Sequence, residues 1–314
     1  MSKKPKVGMW SGLTAVTAVL TAGAIVGTTV AFHYTTTVNN YLDADTYKII
    51  KGDSDEDTEY FKSDFTSDEE RESYEAELCA QVEAEGAALL KNDNNALPLA
   101  SGAKVSLFGH GSVDLMYGGT GSGSVDTSKA PNFKQALEDQ GIQVNSTLWD
   151  LYSSDDMMKN YSRITPAAIS DTLEANTQYA VNEAPWSKLS SAESSFADYG
   201  DAAIVVFSRS GGEGADLPSG ENGTNDSWIK GQEGDGNYLA LSAEEKELLQ
   251  NLKTLKDNGT FKKIIVLINS SNAIEMDFLN PEICGEDYGI DSAMWIGDVG
   301  QTGINGVAQL LAGE

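Results

Sequence analysis

Short, nearly continuous apolar runs alternate along this chain with segments whose apolar residues recur at helical spacing. The runs at 104–109 (KVSLFG), 202–208 (AAIVVFS) and 263–268 (KIIVLI) are typical of parallel strands that are buried on both faces. Shorter runs at 142–145 and 292–296 predict two further strands. The pattern therefore predicts an α/β protein with an open, mostly parallel sheet of about five or six strands, flanked by helices.

Capping signals mark the starts of two predicted helices. Ser242 is followed three residues later by Glu245, which predicts a capping box and a helix that continues to about residue 256. Ser67 and Glu70 have the same spacing. Further helices are predicted at residues 132–140, 147–160 (with Ser146 as the N-cap) and 303–311.

The helix that follows Ser67 carries apolar residues at a spacing of four. Tyr74, Leu78 and Val82 would lie above one another on one face of this helix. We expect this face to be buried and the helix to open the folded domain.

The N-terminal segment has a different composition from the rest of the chain. Lys3, Lys4 and Lys6 precede a run from Val7 to His33 that contains no Asp, Glu, Lys or Arg. At about 1.5 Å of rise per residue, such a run spans a bilayer, and its basic flank should stay in the cytoplasm. We expect a single-pass anchor of the cell membrane with the main domain outside the cell; a cleaved signal peptide is the alternative.

A polar segment separates this run from the folded domain. It includes the acidic run at 52–57 (GDSDED), whose spacing lacks the closing Glu of an EF-hand calcium loop. We interpret it as a solvated stalk. The expected organisation is an anchor at 1–33, a stalk at 34–66 and an α/β domain at 67–314.

The charge of the chain excludes one class of partner. It contains 21 Lys and Arg against 48 Asp and Glu, which gives a net charge of −27. Such a surface repels phosphate backbones, so no nucleic-acid partner is expected. It is compatible with a neutral ligand such as a sugar.

Few residues are available for metal or redox chemistry. Cys79 and Cys284 form no C-x-x-C pair, and His33 and His110 cannot complete a usual zinc site with them. We expect two buried free thiols, although a disulfide between them is possible outside the cell. No metal and no cofactor are expected.

The segment that follows the strand at 104–109 is rich in glycine. It starts at Gly109-x-Gly111 and ends in the run at 118–123 (GGTGSG), but Asp114 stands where a dinucleotide-binding turn needs its third glycine. No G-x-S-x-G motif offers His110 a serine nucleophile. Nucleotide binding and serine hydrolysis are therefore disfavoured.

The segment that follows the strand at 202–208 presents a carboxylate among glycines. Glu213 is flanked by Gly211, Gly212 and Gly214, which gives its side chain the freedom to enter a cleft. Because ligands of open parallel sheets bind at the carboxyl ends of the strands, this position suits a catalytic acid. Glu221 and Glu233 lie in the same irregular stretch and qualify equally on these grounds, so the residue pattern alone leaves the choice open.

Several motifs together resemble one enzyme family. The chain is similar, in the same order, to the α/β sandwich domain of glycoside hydrolase family 3, and the resemblance covers about residues 75–314. The matching segments are 85–99 (EGAALLKNDNNALPL), 104–109 (KVSLFG), 118–123 (GGTGSG), 207–216 (FSRSGGEGAD), 295–301 (WIGDVGQ) and 310–314 (LLAGE).

The resemblance implies a role for Glu213. It would be the general acid and then the general base of a retaining, exo-acting β-glycosidase of the β-glucosidase type, with a pKa that burial against a partner domain raises. The nucleophile of the family is an Asp on a barrel domain, and no part of this chain matches the barrel. The chain would then carry half an active site, in an arrangement that resembles the permuted bacterial members, and would not hydrolyse glycosides alone.

The resemblance also suggests the groups that surround a β-linked glucoside. Trp228 and Tyr117 are candidates to contact a sugar, and Gly119 and Thr120 lie in a loop whose backbone can approach a hydroxyl. Arg209 and Asp216 are further candidates that would also order their loop by ion pairing. The alternative function is a membrane-anchored domain that binds carbohydrate or another partner without catalysis.

Overall fold

The computed structural model describes residues 7–42, 63–165, 179–213, 217 and 237–314. The chain divides into two compact units, Met1–Ser63 and Asp64–Glu314. The described part of the first unit contains helices α1 (Val7–His33) and α2 (Thr35–Tyr41). Within α1, the 24 residues Trp10–His33 have a mean hydropathy of 1.8 and are long and apolar enough to cross a membrane, a test that a signal sequence also passes.

The second unit contains the sheet and its helices. Its described residues form the strands β1 (Ala88–Asn92), β2 (Lys104–Phe108), β3 (Gln143–Val144), β4 (Ala202–Ser208), β5 (Ile264–Asn269) and β6 (Ser292–Trp295). The α-helices of this described part are α3 (Asp68–Gly86), α4 (Phe133–Asp139), α5 (Ser146–Tyr152), α6 (Asp155–Tyr161), α7 (Ala243–Asp257), α8 (Pro281–Cys284) and α9 (Ile304–Ala312).

The six strands among the described residues form one sheet in the order β1-β6-β5-β4-β2-β3. The pairs β2–β3, β2–β4, β4–β5 and β5–β6 are parallel, and the edge strand β1 is antiparallel to β6. The predicted open, mostly parallel α/β sheet is thus confirmed. The antiparallel edge strand is an addition that the apolar pattern did not single out.

The core lies on both faces of the sheet. Because successive side chains of a strand point to opposite faces, Ile204 and Val206 of β4 belong to one apolar cluster, and Val205 and Phe207 belong to the other. The first cluster is covered by α4 and α9, and the second by α5, α6 and α7. All seven residues of β4 are buried, as its continuous apolar sequence requires.

The helix predicted at 147–160 is two helices. Asn145 caps α5 by accepting a hydrogen bond from the backbone N–H of Leu148, and Ser154 caps α6 in the same way for Met157. The predicted N-cap at Ser146 is therefore wrong by one residue. A second capping residue inside an apolar periodic segment restarts the helix, and the periodicity alone does not show this break.

The predicted buried face of α3 is also wrong. Tyr74, Leu78 and Val82 are 53%, 44% and 62% exposed. The buried face instead carries Ala80, which packs against Gly306 of α9 so closely that an added Cβ at Gly306 would overlap the Ala80 carbonyl oxygen. Two helices can approach this closely only through small side chains, so the small face is buried and the large apolar face lies at the surface.

Glu83 lies on the packed face of α3. Its Oε1 atom is buried and has no hydrogen-bond partner among the described residues. Burial, together with the negative charge of Asp298, raises the pKa of Glu83 to about 7. The folded unit therefore favours the protonated form of this side chain.

We expect this carboxyl group to make the unit less stable as the pH rises from 4.5, the ordinary pKa of Glu, to about 7. In that window the folded chain holds a proton that the unfolded chain has released, so the free energy of unfolding falls with pH. Glu83→Gln should remove this part of the dependence and raise the urea midpoint of the full chain at about pH 7.5. Glu77→Gln, which changes an exposed residue of the same helix, is the control, and identical pH slopes in the two variants would contradict the prediction.

Candidate active site

Loops from four parallel strands meet at the carboxyl edge of the sheet. They follow β2 at 109–123, β4 at 209–213, β5 at 270–272 and β6 at 296–298. Open parallel sheets bind their ligands at this edge. The described residues of these loops are held together by hydrogen bonds between them, and Glu213 lies among them.

Glu213 is joined to the glycine loop at 118–123. Thr120 and Gly212 form a parallel β-bridge, and the Thr120 hydroxyl donates to the backbone carbonyl of Glu213 over 3.0 Å. The Ser122 backbone N–H and the Ser122 hydroxyl both donate to Oε2 of Glu213, each over 2.9 Å. The loops that follow β2 and β4 thus form one surface with this carboxylate at its rim.

Two glycines make this close contact possible. Gly121 has a φ of +67°, and a Cβ there would lie 2.5 Å from Oε2 of Glu213. Gly212 has a φ of +155°, and a Cβ there would overlap the backbone N and the hydroxyl of Thr120. Both positions therefore require glycine for their backbone conformation and for the space that Glu213 and Thr120 occupy.

The surroundings of Glu213 favour its ionised form in this chain. The side chain is exposed, and the pKa of Glu213 is lowered, first by the hydrogen bond from the Ser122 backbone and then by the bond from the Ser122 hydroxyl. Burial opposes this shift only weakly. A general acid needs a raised pKa, and the shift at Glu213 in this chain has the opposite sign.

Arg209 lies beneath the loop rather than on its surface. The side chain is fully buried, and its guanidinium makes a bidentate pair with Glu245 of α7, with N–O distances of 2.8 and 2.7 Å. The remaining donors bind the carbonyl oxygens of Ser208, Tyr238 and Ala240, so all five N–H groups are used. This geometry assigns Arg209 to the support of the loop and not to direct contact with a ligand.

The other candidate ligand residues divide into two groups. Tyr117, Gly119 and Thr120 line one pocket of about 270 Å³. The Tyr117 hydroxyl donates to the carbonyl of Pro131 over 3.0 Å, which fixes its ring at the pocket wall. Asp216, the expected ion-pair partner of Arg209, and Trp228 lie outside the described residues, as do Glu221 and Glu233.

An ion pair forms part of the same pocket. Arg163 binds the carboxylate of Asp114 over 3.1 Å, and it also donates to the carbonyl of Leu115 and the hydroxyl of Ser208. It therefore connects the segment after α6 to the exits of β2 and β4. Nothing in the local sequence around Arg163 identifies this role, because its partners lie 45 to 49 residues away.

Asn269 is a second supporting residue that sequence reasoning missed. Its buried amide accepts from the Met116 backbone N–H over 2.6 Å and donates to the carbonyls of Met116 and Gly297 over 3.0 and 2.7 Å. It thereby connects the exits of β2, β5 and β6. The sequence signal that could have identified it is a polar residue directly after the apolar run 263–268, at the carboxyl end of a predicted strand.

The described residues contain no group of three or more His, Cys, Asp or Glu side chains that would hold a metal ion. His110 is buried and pairs with Glu183 through Nδ1 over 2.9 Å.

The two cysteines are both free. Cys79 and Cys284 are half-buried, whereas we expected them from the sequence to be buried.

Comparison with known proteins identifies the domain. Residues 87–314 match the family described as "Glycosyl hydrolase family 3 C-terminal domain". A β-glucosidase of Ruminococcus albus is 30% identical over 241 residues, which cover 76% of this chain and 21% of that protein. The chain thus spans about a fifth of the length of this relative.

Two solved structures share the fold. A β-glucosidase from Paenibacillus barengoltzii superposes with a TM-score of 0.55 at 27% identity, over 76% of this chain and 23% of that one. β-Glucosidase 3B from Thermotoga neapolitana, determined in complex with glucose, also gives 0.55 at 24% identity, over 78% of this chain and 30% of that one.

Proposed function

Since this chain belongs to glycosyl hydrolase family 3, we propose that it supplies the general acid/base, Glu213, to a retaining, exo-acting β-glycosidase of the β-glucosidase type. The observation that carries the proposal is the position of Glu213. Two loops hold its carboxylate at the carboxyl edge of a parallel sheet, at the rim of a surface that a further domain can complete. The β-glucosidases to which the chain is similar support a β-linked glucoside as the ligand.

Retaining hydrolysis assigns two successive tasks to Glu213. It first gives a proton to the glycosidic oxygen while a second carboxylate attacks the anomeric carbon. The two carboxyl groups of a retaining enzyme lie about 5–5.5 Å apart. It then takes a proton from the water that releases the sugar. The second carboxylate is the Asp of a barrel domain, which no segment of this chain resembles.

The lowered pKa of Glu213 defines what the further domain has to do. An exposed carboxylate with two hydrogen-bond donors is ionised near neutral pH and cannot act as an acid. Covering the rim with another domain removes water from this carboxylate and raises its pKa. The barrel thus supplies the nucleophile and also the desolvation that makes Glu213 an acid.

The N-terminal unit fits a position at the cell surface. Helix α1 would cross the membrane once, with Lys3, Lys4 and Lys6 on the cytoplasmic side, and the α/β unit would lie outside the cell. An extracellular enzyme at this place would remove terminal sugars from oligosaccharides before uptake.

A binding function without catalysis is the second candidate. The observation that favours it is the exposed carboxylate of Glu213, whose pKa is lowered by the hydrogen bonds from Ser122 and which suits an acceptor for sugar hydroxyls. The pocket beside Thr120 offers further polar groups for such a contact.

Turnover of para-nitrophenyl β-D-glucoside distinguishes the two functions. We expect no measurable turnover by the full chain alone, and turnover by a polypeptide that joins the chain to a family barrel domain. The same joined polypeptide without the barrel Asp is the control. Glucose binding without turnover by the joined polypeptide would favour the second candidate, and full turnover by the chain alone would contradict the shared active site.

A further inference from the structure

We propose that Ser122 is a positioning residue for Glu213: it fixes Oε2 of the carboxylate and leaves Oε1 as the oxygen that exchanges the proton with the substrate. This inference rests on the proposed function of Glu213. It adds to that function the identity of the reacting oxygen and of the residue that selects it.

The geometry separates the two oxygens of the carboxylate. The Ser122 backbone N–H and hydroxyl both reach Oε2 over 2.9 Å. Among the described residues, Oε1 receives no hydrogen bond. An oxygen that already accepts two hydrogen bonds is a poor proton carrier, because protonation of it would displace a donor, whereas Oε1 can take up and release a proton freely.

The neighbouring backbone makes this choice persistent. Gly121 lies so close to Glu213 that a Cβ would contact both Oε2 and Cβ of that residue, at 2.5 and 2.7 Å. Thr120 holds the backbone of Glu213 from the other side of the same loop. Contacts with described residues therefore hold Glu213 at its backbone and at Oε2, and they leave Oε1 able to react.

The proton movements follow from this arrangement. In the first step a proton leaves Oε1 for the glycosidic oxygen as the bond from that oxygen to the anomeric carbon breaks and the barrel carboxylate bonds to that carbon. In the second step the attacking water gives a proton to Oε1 as its oxygen bonds to the anomeric carbon and the bond from that carbon to the barrel carboxylate breaks. Both bonds from Ser122 to Oε2 are strongest while Glu213 is charged, so Ser122 favours the state that follows the first proton transfer.

Carbon-13 NMR titration of Glu213 tests the contact directly. The full chain in detergent micelles, with glutamate labelled at the side-chain carboxyl carbon, gives a Glu213 resonance that is identified by its loss in Glu213→Gln. Ser122→Ala removes one of the two donors to Oε2, so we expect the titration midpoint of Glu213 in this variant to move to higher pH. Gly121→Ala displaces Glu213 from both donors and should move the midpoint further in the same direction.

Two variants separate this role from a general structural one. Ser122→Thr keeps a hydroxyl and should return the midpoint towards that of the unaltered chain. Ser124→Ala removes an exposed hydroxyl two residues further along the same loop and should leave the midpoint unchanged. The proposal is overturned if Ser122→Ala titrates like the unaltered chain, or if Ser124→Ala moves the midpoint as far as Ser122→Ala does.

The pH profile of the polypeptide joined to a family barrel domain gives a second readout. A general acid must be protonated, so kcat/KM falls as the pH rises through the pKa of Glu213, and Ser122→Ala should move this alkaline limb to higher pH. If Glu213 has the same NMR titration midpoint in Ser122→Ala and in the unaltered chain while Glu213→Ala is inactive, only the role of Ser122 is overturned. If Glu213→Ala keeps its turnover, the proposed function is contradicted, and so is the assignment of Oε1.

Discussion

Replacing Glu213 with alanine in the polypeptide that joins this chain to a family barrel domain should lower the turnover of a β-glucoside with a poor leaving group by about 10²–10⁴-fold. The reason is that the glycosidic oxygen then departs without a proton. An activated aryl glucoside needs less protonation, so its first step should be slowed much less. Its second step still lacks a base, and added azide, which needs no deprotonation, should restore part of that rate.

The comparison of leaving groups gives this prediction its specificity. A variant that merely disturbs the loop would slow all substrates together, whereas loss of the acid slows them in the order of their leaving-group pKa. Glu282→Ala, an exposed residue of α8, is the matched control and should change neither rate. Near-normal turnover of Glu213→Ala on substrates with poor leaving groups would remove Glu213 from the mechanism.

The fold was predictable where the signal is local. Strand β4 occupies the predicted residues 202–208, because a continuous apolar run identifies a strand buried on both faces without reference to its neighbours. Helix α7 begins after Ser242 with both hydrogen bonds of the predicted capping box. Each of these features is specified within a few residues of sequence.

The fold was not predictable where burial depends on a distant partner. The spacing of Tyr74, Leu78 and Val82 indicates an apolar face, but whether that face is buried depends on α9, more than 200 residues away. Gly306 of α9 makes the small face around Ala80 the better packing surface. Sequence periodicity describes one helix and contains no information about the second.

The candidate site shows the same division. The glycine loop at 118–123 and Glu213 were identified by motifs, and the structure places them in contact. That Ser122 would supply both donors was not predictable, because it lies 91 residues from Glu213. The sequence also suggested Asp216 as the partner of Arg209, whereas the guanidinium binds Glu245 of α7, 36 residues away.

Replacing Glu245 with alanine should lower the free energy of unfolding by about 3–5 kcal/mol, because it leaves the Arg209 charge buried without its counter-charge. Urea unfolding of the full chain measures this loss. Asp257→Ala is the matched control on the same helix, since it breaks the surface pair between Lys253 and Asp257 and should cost only about 0.3–0.5 kcal/mol. Equal losses in the two variants would contradict the prediction.

Two further variants separate the charge from the other contacts of this pair. Glu245 also accepts from the Ser242 backbone N–H over 2.8 Å, and Glu245→Gln keeps a carbonyl oxygen for that cap while it removes the charge. Glu245→Gln should therefore lower the free energy of unfolding by most, but not all, of the amount by which Glu245→Ala lowers it. The double variant Arg209→Met with Glu245→Leu removes both charges, and it also removes the hydrogen bonds from the guanidinium to the carbonyls of Tyr238 and Ala240. If the double variant recovers only part of the free energy of unfolding that Glu245→Ala loses, Arg209 stabilises the loop at 209–213 through its bonds to these carbonyls as well as through its charge.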